Sequence, residues 1–366
     1  MKIGILGTRG IPNNYGGFEQ FAEYLSQGLH AKGCEVFVYN SHNHPYRQNN
    51  WRNIHIIHQY DPENRIGLSG QFIYDLNCIL DSRKRNFDVL LQLGYTTNSL
   101  WHKLLPKNPI KICNPDGMEW KRSKYPAPVK RFLKYAEKLA VQSNQLLIAD
   151  SEVIKDYYIQ KYQKTTIFVA YPAIPFTKPD SSALEQYELS PDKYNMLIAR
   201  LQPDNNIETI ISGYVQSATD QSLLVIGNSE TRYGHYLKQK YTDKRIRYLN
   251  AIYDQNLLNN LRHFAHLYFH GHSAGGTNPS LLEAMASSAL ICAHDNEFNK
   301  SVLKENAFYF SDTHAITSLL DNKLEKSNYS AFIENNMRAI HTLYNPERII
   351  NQYYNAFQDL TKNKKH

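Results

Sequence analysis

The sequence predicts an α/β protein built from two parallel-sheet domains. At 366 residues the chain exceeds what one hydrophobic core usually organises, so about two domains of ~150 to 180 residues follow. It opens on a strand, a glycine loop, a helix and a second strand, the βαβ unit of a parallel sheet. The same alternation restarts at Asn195, after a stretch punctuated by Pro172, Pro175, Pro179 and Pro191.

In the first half, Lys2 to Leu6 reads as a strand and Gly7 to Gly17 as a mobile, glycine-rich loop. Phe18, Phe21, Leu25 and Leu29 then mark an amphipathic helix ending near Gly33. Val36 to Tyr39, Ile54 to His58, Val89 to Gln92, Ile110 to Cys113 and Leu146 to Ala149 are further strands. Ile73, Leu76, Ile79 and Leu80 mark a helix, and Lys130 to Val141 another. The opening is not a dinucleotide fingerprint. Ile5 stands in the first glycine place of Gly-x-Gly-x-x-Gly, and Tyr39-Asn40 stands where an acid would bind ribose. Loops at the carboxyl ends of parallel strands bind ligands, so Asp116 and Glu119, in the loop after Cys113, become candidates for a catalytic edge whose role the loop itself does not name. Asp150-Ser151-Glu152 reads as a helix cap.

In the second half, Met196 to Ala199, Leu223 to Ile226, Ile246 to Leu249 and Leu290 to Ala293 read as strands. Ile207 to Val215, Leu257 to Phe264 and Val302 to Glu305 read as helices. The run from Tyr268 to Met285 is the most informative: a short apolar strand, a loop broken by Gly271, Gly275 and Gly276, then Asn278 as an N-cap and Pro279 at a first helical position. Leu281, Leu282, Met285 and Ala286 recur at helical spacing, which leaves Glu283 one turn into that helix. Free N–H groups and the helix dipole favour an anion there, and a carboxylate can accept from paired hydroxyls. Pro346 opens a last helix with Ile349, Ile350, Tyr353, Tyr354, Phe357 and Leu360 as a broad apolar stripe.

Hydrophobic residues at 42% and charged residues at 20% describe a soluble globular protein. No apolar run approaches the ~20 residues of a membrane helix, and Ile3 to Leu6 is too short for a signal-peptide core, so export is not expected. Four cysteines without a Cys-x-x-Cys pair fit a reducing cytoplasm and no structural zinc. His263, His266, His270 and His272 straddle a helix end, a strand and a loop, a spacing that does not suggest a metal site. The net charge is +7, and ten Lys or Arg fall between Lys103 and Lys138 against Asp116, Glu119 and Glu137. That stretch is either a solvated helix face or a patch for anionic headgroups or a lipid-linked phosphate. No recognition helix or zinc finger points to nucleic acid.

Three motifs carry a resemblance. Gly7-Thr-Arg-Gly-Ile-Pro12 with Tyr15-Gly-Gly-Phe-Glu19, Asp116-Gly-Met-Glu-Trp-Lys-Arg122, and His270-Gly-His-Ser-Ala-Gly-Gly-Thr-Asn-Pro-Ser-Leu-Leu-Glu283 are together specific. Over nearly its full length the chain resembles glycosyltransferase family 4 of the GT-B fold, within the branch of bacterial capsule and cell-wall rhamnosyltransferases. The resemblance implies two Rossmann-like domains facing across a cleft, with the C-terminal helix packing back on the N-terminal domain. On that reading residues 1–175 form the acceptor-binding domain, 176–192 the linker, 193–345 the nucleotide-sugar-binding domain and 346–366 the terminal helix and tail.

The resemblance also implies roles. Glu283 matches the second carboxylate of the family's glutamate pair, which binds the nucleotide ribose, whereas Gly275 stands where the first would contact the donor sugar. Gly276 and Thr277 are left to offer backbone N–H groups. Arg200 matches the arginine that binds the diphosphate, and Asn205 replaces the usual lysine five residues on. Arg9, the Gly16-Gly17 loop and His272 complete the expected donor contacts with Asn278, while Asp116 and Glu119 position or deprotonate the acceptor hydroxyl. The implied reaction is metal-independent transfer with retention, with no cofactor beyond the nucleotide-sugar substrate. The expected donor is dTDP-rhamnose and the expected acceptor a lipid-linked saccharide, at the inner face of the plasma membrane. The alternatives are a non-catalytic GT-B sugar-binding or scaffold subunit, prompted by Gly275 and Asn205, and a nucleotide-sugar epimerase on the same fold.

Overall fold

The computed structural model describes all residues except Tyr15, Ser123, Lys124, Ala274, Lys323, Lys365 and His366. Tyr15 of the amino-terminal signature, Lys124 of the basic stretch and Ala274 of the glycine loop therefore lie outside the described residues. The chain divides into two compact units. The first holds Met1–Lys121, Tyr125–Tyr171 and Pro346–His366, the second Arg122–Lys124 and Pro172–Asn345.

The first unit is built on β1 (Lys2–Leu6), β2 (Glu35–Ser41), β3 (Asn50–Trp51), β4 (Ile54–Gln59), β5 (Val89–Leu93), β6 (Ile110–Asn114), β7 (Leu146–Ala149) and β8 (Thr166–Phe168). They form one sheet in the order β3-β4-β2-β1-β5-β6-β7-β8, and only β3 runs antiparallel to its neighbour. All five residues of β5 are buried, as expected of a strand covered on both faces. The helices α1 (Gly17–Ala31), α2 (Glu63–Ile66), α3 (Gly70–Ser82), α4 (Ala127–Ser143) and α5 (Glu152–Tyr162) connect the strands. In α1, Phe21, Ala22, Leu25 and Leu29 are buried at the expected helical spacing.

The second unit alternates β9 (Tyr194–Ile198), α6 (Ile207–Gln216), β10 (Ser222–Ile226), α7 (Arg232–Lys240), β11 (Ile246–Leu249), α8 (Gln255–Phe264) and β12 (Leu267–His270). It continues with α9 (Pro279–Ala286), β13 (Ile291–His294), α10 (Glu297–Leu303), β14 (Phe308–Phe310), α11 (Thr313–Asp321) and α12 (Ser330–Thr342). Its sheet is parallel throughout, in the order β11-β10-β9-β12-β13-β14. The core packs Ile207, Ile210, Ile211 and Tyr214 of α6 against Leu197, Val225, Phe269 and Cys292 of the strands.

The terminal helix α13 (Pro346–Asn363) belongs to the first unit. It buries Ile349, Tyr353 and Phe357, each contributing roughly 1.5 to 3 kcal/mol. The Tyr353 and Phe21 rings lie 5.4 Å apart, and Asn114 Nδ2 donates to the Tyr353 hydroxyl at 3.2 Å. Gly28 lets the two helices approach, because a Cβ there would lie 2.2 Å from Ile350 Cδ1. The expected packing of this helix is what the structure shows.

Three local expectations are corrected. The helix anticipated at Val302 to Glu305 runs instead over Glu297–Leu303, because Asn296 caps it by accepting from the N–H groups of Phe298 and Asn299 at 3.0 Å each. The cap of α5 is Ser151, without a side-chain capping bond, and Asp150 lies behind it, buried. The loop after β1 is tied down over Gly7 to Asn13. Asn40 accepts from Ile11 N–H at 3.1 Å and donates to Ile11 O at 2.8 Å, Glu19 accepts from Arg9 N–H, and Glu23 accepts from Asn13 N–H.

Asp75 on α3 is a buried carboxyl that accepts from the Thr97 hydroxyl. Burial pushes it up to about 7; the Thr97 hydrogen bond opposes the shift and the neighbouring Asp61 adds to it. The folded state therefore keeps a proton that the unfolded chain releases near its ordinary value of 3.8. This group's contribution to stability is complete at acid pH and falls as pH rises through that window. Chemical denaturation of wild type and Asp75→Asn across roughly pH 4 to 7 should show the wild type losing stability relative to the variant, on the order of 4 kcal/mol over the window. A stability difference that does not change with pH would contradict the assignment.

Candidate functional site

In an open parallel sheet, ligands bind outside the carboxyl ends of the strands where the strand order reverses. In the second unit β9 lies between β10 and β12, so the reversal falls between β9 and β12. Arg200 follows β9, and the glycine loop follows β12. A 3-10 turn at Pro203–Asn205 joins the two. Ser273 donates to Asp204 O from N–H and Oγ, at 3.3 and 2.7 Å, and Asn206 Nδ2 donates to Gly271 O at 2.8 Å. A Cβ on Gly271 would sit 2.1 Å from Asn205 O, so this approach requires glycine. Asn205 itself is buried and donates to Arg200 O at 2.8 Å. Its amide braces the turn; positive charge at this place comes from the exposed Arg200 side chain and from Arg122, whose guanidinium lies 3.5 Å from the buried Asp204 carboxylate.

The rest of the loop is shaped by its backbone. Asn296 and Asn299 donate to His272 O at 3.0 and 3.1 Å. Gly275 has φ +130°, and a Cβ there would meet no atom within 4 Å. Backbone strain rather than crowding therefore selects glycine, and a glutamate in this conformation would be strained. Gly276 is half-buried and Thr277 buried. Asn278 caps α9 as expected, accepting from Ser280 N–H and Oγ at 3.0 Å each. The His270 and His272 rings stack at 4.5 Å. Burial, followed by the guanidinium groups of Arg122 and Arg200, pushes His272 down to about 4, and burial pushes His270 well below the usual histidine range. Both rings are neutral near pH 7, so His272 can donate a single hydrogen bond to an anion but brings no charge.

Glu283, on the first turns of α9, is not solitary. Arg262 of α8, 1% exposed, donates from Nη2 to Glu283 Oε2 at 2.5 Å and from Nη1 to Asn259 Oδ1 at 2.9 Å. The Glu283 side chain retains 23% exposure, so it can face both its buried partner and a ligand hydroxyl. Sequence reasoning missed Arg262. It sits among the polar residues of an amphipathic helix, and only the fold turns it inward.

The remaining candidates lie in the first unit. There the order reverses between β1 and β5. Gly7, with φ +90°, approaches β5 so closely that a Cβ would meet Leu93 O at 2.0 Å. Arg9 forms a two-pronged pair with Glu63 at 2.7 and 3.1 Å, which shares its charge with a carboxylate. Gly16 occupies the cap position of α1 and Gly17 its first residue. After β6, Asp116 takes a left-handed backbone, φ 58°, with its N–H donating to Asn114 Oδ1 at 3.0 Å. Glu119 opens a 3-10 turn, Glu119–Lys121. That turn is anchored by Glu137, fully buried, which accepts from Trp120 Nε1 at 2.8 Å, the Tyr157 and Tyr162 hydroxyls at 2.7 Å each, and Lys161 Nζ at 3.1 Å. The structure thus gathers Arg200, Asn205, His272 and Gly275 to Glu283 in one unit, and Arg9, Gly16, Gly17, Asp116 and Glu119 in the other. Among the described residues, no group of three or more His, Cys, Asp or Glu is placed to hold a metal ion.

Residues 1–173 match the profile of a family described as a domain of unknown function, DUF1972. A search of curated proteins gave no match. Among solved structures, a sucrose-phosphate synthase from Thermosynechococcus elongatus is 15% identical with a TM-score of 0.79, covering 98% of each chain. The Anabaena protein HepE in complex with UDP and glucose is 15% identical with a TM-score of 0.76, covering 98% of this chain and 100% of its own. A glycosyltransferase from Rickettsia africae is 12% identical with a TM-score of 0.72, covering 99% and 98%. The fold is GT-B, with two Rossmann-like α/β units.

The Arg262–Glu283 pair makes a directional prediction. Glu283→Gln leaves a buried guanidinium without its countercharge and should cost ~3 to 5 kcal/mol. Arg262→Met leaves a carboxylate that water can still reach and should cost less. The double variant Arg262→Met/Glu283→Gln should recover most of the loss in a denaturant titration; strictly additive losses would show that the pair is not coupled.

Proposed function

We propose that the protein is a retaining glycosyltransferase that takes a sugar from a nucleoside-diphosphate donor and places it on a lipid-linked saccharide. The leading donor is dTDP-rhamnose, the setting capsule, O-antigen or cell-wall polysaccharide synthesis, and the place of work the inner membrane face. The second unit serves as the donor domain and the first as the acceptor domain. The observation that carries the reading is the exposed Arg200 beside a glycine loop at the carboxyl ends of β9 and β12, followed by a helix bearing Glu283. HepE, solved with UDP and glucose, supports a nucleotide-linked donor, and the three sequence motifs support the rhamnose branch.

The chemistry follows from charge. As the bond between the sugar's anomeric carbon and the diphosphate oxygen breaks, negative charge builds on the phosphates. Arg200, the backbone N–H groups of Gly276 and Thr277, the amino end of α9 and the neutral His272 oppose it. The acceptor oxygen bonds to the anomeric carbon on the face the phosphate leaves, and its proton passes to the departing phosphate oxygen. Glu283 accepts from the ribose hydroxyls, with Arg262 donating to its other side and holding it in place. Asp116 and Glu119 hold the acceptor hydroxyl, in a loop that Glu137 fixes through Trp120. Gly275 leaves the sugar to be held by backbone rather than by a carboxylate.

Incubating the purified protein with a panel of nucleotide sugars and a lipid-linked acceptor should give transfer, strongest with dTDP-rhamnose. Arg200→Ala should raise the donor KM on the order of tenfold to a hundredfold, the loss of one charge-assisted contact, at unchanged Tm because the side chain is exposed. No transfer and no nucleotide binding by titration would overturn the proposal. Nucleotide binding without turnover would favour a non-catalytic sugar-binding subunit, the reading to which Gly275 and the internally bonded Asn205 lend weight.

A further inference from the structure

The exposed large apolar side chains of the first unit are unevenly spread. Ile66 at 51% and Leu68 at 73% exposure lie on the short link from α2 to α3, and Tyr60 and Ile73 flank them, also exposed. Residues 64–69 are all exposed, so two large aliphatic side chains stand at a tip facing water. An aliphatic pair at such a tip marks a surface that something apolar covers.

A second element lies alongside. The Phe72 and Phe132 rings are 6.0 Å apart, which brings α4 next to the start of α3. Trp101 Nε1 donates to Phe72 O at 2.8 Å, which adds the 3-10 segment Asn98–Leu104. Arg131, Lys134, Tyr135 and Lys138 of α4 are all exposed. Their spacing of i, i+3, i+4 and i+7 makes them one helix face. The only acid on α4 is Glu137, which points inward to Trp120, Tyr157, Tyr162 and Lys161. Lys103 and Arg65, exposed on the neighbouring segments, extend the same positive field. The acids beside this link are committed: Glu63 to Arg9, Asp61, buried, to the Ser41 hydroxyl and Glu63 N–H, and Asp75, buried, to the Thr97 hydroxyl.

We propose that this surface docks the protein on an anionic bilayer, with Ile66 and Leu68 entering the headgroup boundary and Arg65, Lys103, Arg131 and Lys138 meeting lipid phosphates. The inference rests on the reading of a lipid-linked acceptor and names the surface that reaches it. Apolar side chains at the tip and basic residues around them are the combination that an interface between hydrocarbon and anionic headgroups selects. A second copy of this chain fits less well, because a two-fold contact would set the basic faces against each other.

The test uses the full chain in flotation with phosphatidylcholine vesicles, with and without phosphatidylglycerol. Wild type should bind only the anionic vesicles and release as salt rises. Lys103→Gln/Arg131→Gln/Lys138→Gln should weaken binding on the order of 100-fold. Ile66→Ser/Leu68→Ser should weaken it even at low salt, and both should keep the wild-type Tm because every altered side chain is exposed. Transfer to a short water-soluble acceptor should be unchanged in both variants, which separates failure of docking from failure of the transferase reading. Wild type that ignores anionic vesicles, or variants that bind like wild type, would overturn the docking surface. So would a wild-type dimer that these substitutions dissociate.

Discussion

The constraint on which this molecule depends is that its sheets are almost entirely parallel. A parallel sheet must be covered on both faces, so strands such as β5 and β10 become runs of buried aliphatic residues with little room for chemistry along their length. Polar function is pushed to the strand ends. In both units the loops at the reversal of strand order carry the left-handed or crowded glycines: Gly7 against Leu93, and Gly271 against Asn205 with Gly275 beyond it. The glycines permit backbones to pass at distances that a Cβ would forbid, and the hydrogen bonds from Asn40, Asn206, Asn296 and Asn299 then fix those passages.

Buried charge shows how these ends are stiffened. Glu137 collects four donors from two elements, Trp120 of the 3-10 turn and Tyr157, Lys161 and Tyr162 of α5, so its desolvation is offset. Through Trp120 it secures the turn that carries Glu119. Arg262 is the inverse case, a buried cation balanced by one partly exposed carboxylate and one amide. Breaking such a pair costs more than it contributes when intact. The two therefore differ in purpose: the first is a sealed anchor, while the second keeps one end open to solvent.

The strand and helix alternation was legible because its signals are local. Apolar runs bounded by glycine and proline gave most strands to within a residue or two, and Pro346 with its apolar stripe gave α13. What escaped has physical reasons. Helix α7 reads Arg-Tyr-Gly-His-Tyr-Leu-Lys-Gln-Lys and buries only Gly234 and Leu237, so it has no stripe to detect. Helix α12 buries only Asn336 and Ile340. The displaced α10 shows an Asn cap outweighing a short apolar run. At the site, glycines, the Asn278 cap and Glu283 were visible as motif, whereas Arg262 and the Glu137 anchor depend on contacts across 21 and 17 to 25 residues of sequence, which no local pattern records.

The two positions at which the sequence parts from the pattern it otherwise resembles, Gly275 and Asn205, have a common feature in the loop geometry. At Gly275 the positive-φ backbone would strain any side chain, a carboxylate included. At Asn205 the side chain turns back onto Arg200 O, and that bond shapes the turn against which Gly271 packs. A lysine there could donate to the same carbonyl only by burying its ammonium, at a cost that an amide avoids. With both histidines held neutral by burial, Arg200 is left as the exposed cation at the reversal point. Arg122 adds a second guanidinium, held at 3.5 Å by the buried Asp204 carboxylate, so an anion at this place would meet one exposed cation, one paired cation and a set of backbone dipoles.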